Sequence, residues 1–217
     1  MKAIIFDLDG TLVDTLADIA GMMNMLLSER GLPTHSLENY RYMVGRGFAS
    51  LLRSALPPDS SVDLDRFEMD AFARYKAMGS GSSRPYPGVV DALATLASGG
   101  IKLGVLSNKP DPMTADMIAT LFPGTRFGFV RGGLPGVPLK PDPTTALEAA
   151  TALGAPPSEC AFVGDSDVDM RTAVNAGMLA VGAAWGFRTE DELKAAGAAV
   201  IAQSMADVTA LASDSSR

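Results

Sequence analysis

The chain has 217 residues, 47% of them hydrophobic and 20% charged, which allows a sizeable core and argues against disorder. Its 25 acidic residues against 18 basic ones give a formal net charge of −7, which disfavours a binder of nucleic-acid backbone but leaves room for a local cationic site for small anions. No apolar run approaches the roughly 20 residues needed to span a bilayer, and the run Ile4-Ile5-Phe6 meets Asp7 too soon for a signal peptide. The expectation is a cytoplasmic protein that binds neither nucleic acid nor membrane.

In chain order, residues 3–6 read as a short buried strand, continuously apolar as in a parallel sheet covered on both faces. Residues 15–84 then read as successive helices at 16–30, 37–43, 48–56 and 64–78, broken at Gly31-Leu32-Pro33 and at Pro57-Pro58-Asp59. A Gly/Ser-rich loop at 79–83 and the turn Pro85-Tyr86-Pro87-Gly88 mark the return. Strand readings follow at 102–106, 127–130, 160–163 and 179–181, alternating with helices at 89–97, 113–121, 143–153 and 167–176. Such alternation predicts an α/β fold: a doubly wound, Rossmann-like parallel sheet formed by residues 1–14 and 85–217, with an inserted α-helical cap domain at 15–84. The tail at 213–217 reads as a frayed polar end. Cys160 is the only cysteine and lies in an apolar run, so it reads as a buried structural thiol. Met22, Met23 and Met25 read as packing of the cap, Trp185 as packing near the sheet rim.

Chemistry-bearing residues recur where strands end. In an open parallel sheet, ligands bind beyond the carboxyl ends of the strands. Asp7 and Asp9 follow the first strand; one carboxylate there can attack phosphorus while the other carries a proton. Gly10 lets the backbone turn, and the Thr11 hydroxyl or amide can meet a phosphate oxygen. The second long strand runs into Ser107 and Asn108 ahead of a helix, where a hydroxyl and free backbone N–H groups can cradle phosphate. Lys140 stands in Leu139-Lys140-Pro141-Asp142-Pro143, a stiff frame that can aim it inward. Asp165, Asp167 and Asp169 follow a further strand; Asp165 suits a hard-oxygen ligand of Mg²⁺, whereas Asp167 suits a helix N-terminus.

Together these segments resemble the four signature motifs of the haloacid dehalogenase-like hydrolase superfamily: Asp7-Leu8-Asp9-Gly10-Thr11, Ser107, Lys140, and Gly164-Asp165-Ser166 through Asp169. The helical insertion after the first motif resembles the cap of its first subclass. The resemblance implies Asp7 as nucleophile and Asp9 as general acid and then base. It further implies that Ser107 and Lys140 hold the phosphoryl group. Mg²⁺ would be bound by Asp7, the Asp9 backbone carbonyl and Asp165, with Ser166 and Asp169 just behind. Asp9 argues against dehalogenation, since dehalogenases lack that carboxylate. A phosphomutase histidine is missing from the first cap helix, and the only histidine, His35, reads as a surface residue. Lys76, the single lysine of the insertion, does not resemble a Schiff-base lysine of the phosphonate-cleaving relatives.

Within the superfamily, Met43-Val44-Gly45-Arg46-Gly47, Ser107-Asn108-Lys109-Pro110 and Ala184-Trp185-Gly186-Phe187 resemble the phosphoglycolate phosphatase group. That implies hydrolysis of 2-phosphoglycolate, with Arg46 reaching the substrate carboxylate. Sugar phosphates, nucleotides and pyrophosphate are alternative substrates; a phosphomutase and a non-catalytic metabolite sensor are further alternatives. The expected partner is a small phosphorylated metabolite, and the expected assembly a monomer or homodimer.

Overall fold

A computed structural model describes residues 1–79 and 81–214. The strands are β1 (Ala3–Phe6), β2 (Val13–Asp14), β3 (Arg84–Pro85), β4 (Lys102–Pro110), β5 (Phe129–Gly133), β6 (Cys160–Gly164), β7 (Leu179–Ala183) and β8 (Val200–Ala202). The α-helices are α1 (Leu16–Ser28), α2 (Leu37–Met43), α3 (Phe48–Ala55), α4 (Leu64–Met78), α5 (Val89–Ser98), α6 (Asp111–Leu121), α7 (Thr144–Ala152), α8 (Asp167–Ala176), α9 (Glu190–Ala195) and α10 (Met205–Asp214).

Six strands form one parallel sheet in the order β5-β4-β1-β6-β7-β8. β1 is central, and alternation along it feeds both faces. Ile4 and Phe6 point into a core shared with α5, α6 and α10, while Ala3 and Ile5 point into one shared with α7, α8 and α9. This is the α/β, Rossmann-like sheet that the sequence predicts. From β1 the chain builds outward through β4 and β5, then crosses back to lay down β6, β7 and β8 on the other side. Phe6 pairs with Val105 on one flank and Val163 on the other, so β1 and β6 end nearly level while β4 runs on to Pro110. The crevice of a doubly wound sheet lies where the strand order reverses, which here is the end of β1.

Helices α1 to α4 lie between the short strands β2 and β3, which pair antiparallel with each other. Met23, Leu27, Tyr40, Phe67 and Ala71 are fully buried among these helices, where each large side chain contributes about 1.5–3 kcal/mol. α2 and α4 begin on their own side-chain caps, Ser36 accepting from the Asn39 N–H and Asp63 from those of Asp65 and Arg66. Asp18 of α1 accepts four hydrogen bonds from the N–H and hydroxyl groups of Ser82 and Ser83. Arg188 donates to the carbonyls of Arg41, Tyr42 and Val44, tying the end of α2 to the segment after β7.

Several boundaries differ from the sequence reading. β4 extends four residues past 106 because its end keeps pairing with β5 across an irregularity. β5 starts at Phe129 rather than 127, and β8, α9 and α10 have no counterpart in the prediction. β8, with three residues, and α9, with six, are too short to show a period. His35, expected at the surface, is half-buried: its Nε2 lies 2.8 Å from the Ala55 carbonyl and its ring meets Tyr40 edge-on. Met22 and Met23 are buried as expected, but Met25 is 53% exposed because it faces away from the other helices. Cys160 is buried. Of the Gly/Ser-rich loop, Ser80 lies outside the described residues, as does the end of the tail at 215–217. No described helix is long and apolar enough to cross a membrane.

Candidate active site

Asp7 begins where β1 ends, its N–H bonded to the Val163 carbonyl at 2.9 Å. Lys140 Nζ lies 2.8 Å from Asp7 Oδ1 and 2.6 Å from Asp169 Oδ1, with all three side chains almost fully buried. Asp169 is also the third helical residue of α8, and it forms a capping box with Ser166. Its Oδ2 accepts from the Ser166 hydroxyl at 2.5 Å and N–H at 3.1 Å. The carboxylate is thus turned from an ordinary helix cap toward Lys140.

Asp165 is held at both oxygens. Thr11 Oγ1 donates to Oδ1 at 3.0 Å and the Phe187 N–H to Oδ2 at 2.8 Å. Thr11, expected to meet phosphate, therefore spends its hydroxyl on Asp165. Trp185, expected to pack near the sheet rim with a contact to the active-site loop as the alternative, makes that contact: it donates its indole N–H to the Thr11 carbonyl at 3.0 Å and so fixes the loop that carries Asp7 and Asp9. The turn of that loop needs Gly10: its φ is +86°, and a Cβ there would stand 2.3 Å from Asp165 Oδ2.

Ligand oxygens of Asp7, Asp165 and Asp169 lie within 4.8 Å of one another. Lys140 pairs with two of these three buried carboxylates, Asp7 and Asp169, and the excess negative charge shows in the acidities of Asp7 and Asp165. Burial, then the neighbouring Asp169 carboxylate, pushes Asp7 up to about 7 despite the opposing pull of Lys140. Burial and the carboxylates of Asp169 and Asp7 push Asp165 well above the usual carboxylate range, against the Phe187 N–H and Thr11 hydroxyl. Burial alone would lower Lys140, but Asp169 and Asp7 raise it further, so it stays charged. Hard oxygen donors with surplus negative charge in a dry pocket fit a divalent cation.

Ser107 and Asn108 stand at the adjacent strand end, both buried. The Ser107 hydroxyl accepts the Lys109 N–H at 3.2 Å and lines the pocket beside Asp7 and Asp9. Asn108 does something else with its side chain. Its Oδ1 accepts the Lys140 N–H at 2.9 Å, and its Nδ2 donates to the carbonyls of Lys140 and Gly45, each at 3.0 Å. It therefore fixes the Lys140 loop and touches the segment between α2 and α3. Arg46 stands apart from this group. It is 51% exposed, pairs with Asp167 at 2.9 Å, and faces a surface depression shared with Arg171 and Glu192.

One strong feature has no forerunner in the sequence reading. Lys109 Nζ lies 2.9 Å from Asp9 Oδ1 and 3.2 Å from Oδ2, and 4.5 Å from the centre of the Tyr75 ring on α4. Ser107 and Lys109 are two residues apart on one strand, hence on one side of it, and that period is the signal that would have aimed Lys109 at the rim.

The family model for haloacid dehalogenase-like hydrolases matches residues 1–177. The chain belongs to the haloacid dehalogenase-like hydrolases. Among relatives in this family, a phosphoglycolate phosphatase of Pseudomonas syringae pv. tomato is 36% identical over 191 residues, covering 86% of this chain and 70% of the relative. A phosphoglycolate phosphatase of Caulobacter vibrioides is 34% identical over 210 residues, covering 94% of this chain and 88% of its own. The crystal structure of a putative phosphoglycolate phosphatase from Lactobacillus delbrueckii subsp. bulgaricus superimposes with a TM-score of 0.89 at 28% identity, covering 97% of this chain and 98% of that one.

Proposed function

We propose that the protein is a cytoplasmic, Mg²⁺-dependent phosphatase that hydrolyses a small phosphomonoester, 2-phosphoglycolate, through a phosphorylated Asp7. The observation that carries this reading is the buried group of Asp7, Asp165 and Asp169 around Lys140, with Asp9 one turn of chain from the nucleophile. The names of the relatives support the choice of ester.

An Asp7 carboxylate oxygen attacks phosphorus in line, the bond from phosphorus to the ester oxygen breaks, and Asp9 gives its proton to the departing alkoxide. Asp9 then takes a proton from water, which attacks phosphorus as the bond to Asp7 breaks, releasing phosphate, freeing the Asp7 carboxylate and returning Asp9 to its protonated form. Lys140 neutralises part of the charge on the transferring group, and the Ser107 hydroxyl and nearby N–H groups orient its oxygens. Asp7, Asp165 and the Asp9 carbonyl would hold Mg²⁺, with Ser166 and Asp169 behind them. The bound cation supplies charge neutralisation between the Asp7 carboxylate and the phosphoryl oxygens. Residues 15–84 act as a cap over the rim that excludes bulk water during transfer, while residues 1–14 and 85–217 form the catalytic body.

Purified protein with Mg²⁺ is expected to release phosphate from 2-phosphoglycolate faster than from sugar phosphates, nucleotides or pyrophosphate in a panel assay. Asp7→Asn should reduce this at least about 1,000-fold, the scale on which catalytic groups that act as a unit lose rate. Activity that survives Asp7→Asn would overturn the mechanism.

A further inference from the structure

The pocket beside Asp7 and Asp9 has two unlike ends. Toward the sheet it is polar, with Asp7, Ser107 and Asn108; toward the helices it is walled by Ile19, Met22, Phe48, Leu51 and Met113. Among the described residues lining it, Lys109 is the only cationic one. A transferring phosphoryl group belongs at the polar end, next to Asp7 and Lys140. The leaving oxygen must meet Asp9, which donates its proton, so the rest of the leaving group extends past Asp9 toward the apolar wall. Lys109 Nζ, 2.9 Å from Asp9, stands where the first few atoms of that group pass.

We infer that Lys109 is the specificity-determining residue that binds an anionic substituent, a carboxylate, on the leaving group of a short phosphorylated hydroxy acid. The inference rests on the phosphatase reading above and names the residue that selects its substrate. Lys109 is nearly buried with Asp9 and Tyr75 beside it, so a neutral leaving group would offer its ammonium no further acceptor, while a carboxylate adds a second anion. Burial pushes Lys109 down, but Asp9 and Tyr75 raise it further, and it remains a charged donor. The apolar side chains that close the far end limit the substituent to a short one. Arg46, the other candidate for this work, faces the surface depression at Asp167 instead.

A residue that merely steadied Asp9 would help every ester alike, and this separates the two roles. In the presence of Mg²⁺, kcat/KM is measured for 2-phosphoglycolate and for ethyl phosphate, which has the same carbon count and no carboxylate. The wild type should prefer phosphoglycolate by about 10- to 100-fold, the range expected of one hydrogen-bonded charge. Lys109→Met and Lys109→Gln should each lose most of that preference, with the larger part of the loss in KM; Lys109→Arg should keep it. Equal losses on both esters, or a wild type that does not discriminate, overturn the inference. Calorimetric binding of both esters to the Asp7→Asn protein, with and without Lys109→Gln, reads the same discrimination without turnover. If the wild type hydrolyses neither ester, the phosphatase reading fails, while this binding comparison still decides for or against Lys109.

Discussion

Two lysines divide the site, and their surroundings are opposites. Lys140 pairs with two of three clustered carboxylates, in a group built from strand-end loops of the sheet and the first turn of α8, so one positive charge stands against three negative ones. Lys109 faces one carboxylate, Asp9, and the face of an aromatic ring supplied by α4, so its charge is matched. The carboxylate-rich half calls for a further cation, while Lys109 is left unmatched, and able to take an anion, once Asp9 carries the proton that it gives to the leaving group. On the proposed mechanism the metal thus belongs to one side of the crevice and the substrate's second anionic group to the other.

Removing Lys140 breaks the comparison most severely. Lys140→Met leaves three buried carboxylates uncompensated, for which about 3–5 kcal/mol of destabilisation is expected in the metal-free protein. Denaturant unfolding with and without Mg²⁺ should show much of that loss restored by the ion; an equal loss in both would mean the carboxylates hold no cation. Chelation gives the next effect. In the metal-free protein the folded Asp7 carboxyl, raised from 3.8 to about 7, binds a proton that the unfolded chain has released. Between these values the native state holds more protons, so stability falls as pH rises through that window. The melting temperature of chelated protein should drop by several degrees from pH 5 to pH 7.5, and saturating Mg²⁺ should flatten the slope. Arg46→Ala should matter least. Its partner Asp167 lies at the surface, and an exposed pair of this kind contributes about 0.2–1 kcal/mol, so melting and phosphoglycolate KM should both stay close to wild type. A KM rise beyond about tenfold would instead put Arg46 on the substrate.

Much of the matched and unmatched halves could be read from the chain, but not their wiring. Asp7 and Asp165 fall directly after buried strands, with Asp169 in the first turn of the helix that follows, and a parallel sheet has no choice but to bring such positions to one rim. Lys140 is aimed by a loop whose prolines are visible in the sequence. The partners of these residues are hidden, because they come from remote segments: Thr11 and Phe187 on Asp165, Trp185 on Thr11, Asn108 on the Lys140 backbone. Nothing local to Thr11 distinguishes a hydroxyl that meets phosphate from one that holds a carboxylate. Lys109 is visible in the sequence only as part of Ser107-Asn108-Lys109-Pro110 and without a role, because its strand continues to Pro110, past the point where apolar residues stop. The helical segment was legible as helices because its amphipathic runs are long, whereas α9 offers six residues and shows itself only through its Thr189–Glu192 cap.

The Asp18 clasp and the pairing of β2 with β3 have a mechanical consequence. The chain leaves the sheet body and returns to it through two segments, but these are zipped side by side and knotted to α1 by one carboxylate. Two tethers joined in this way act as one pin, and a swing of the helical segment about that pin would have to break the contacts of Arg188, Asn108 and Arg46 that join it to the sheet body. A single distance, from α3 to the end of β4, would then serve as the coordinate of that swing. One pair of spectroscopic labels would be enough to follow it.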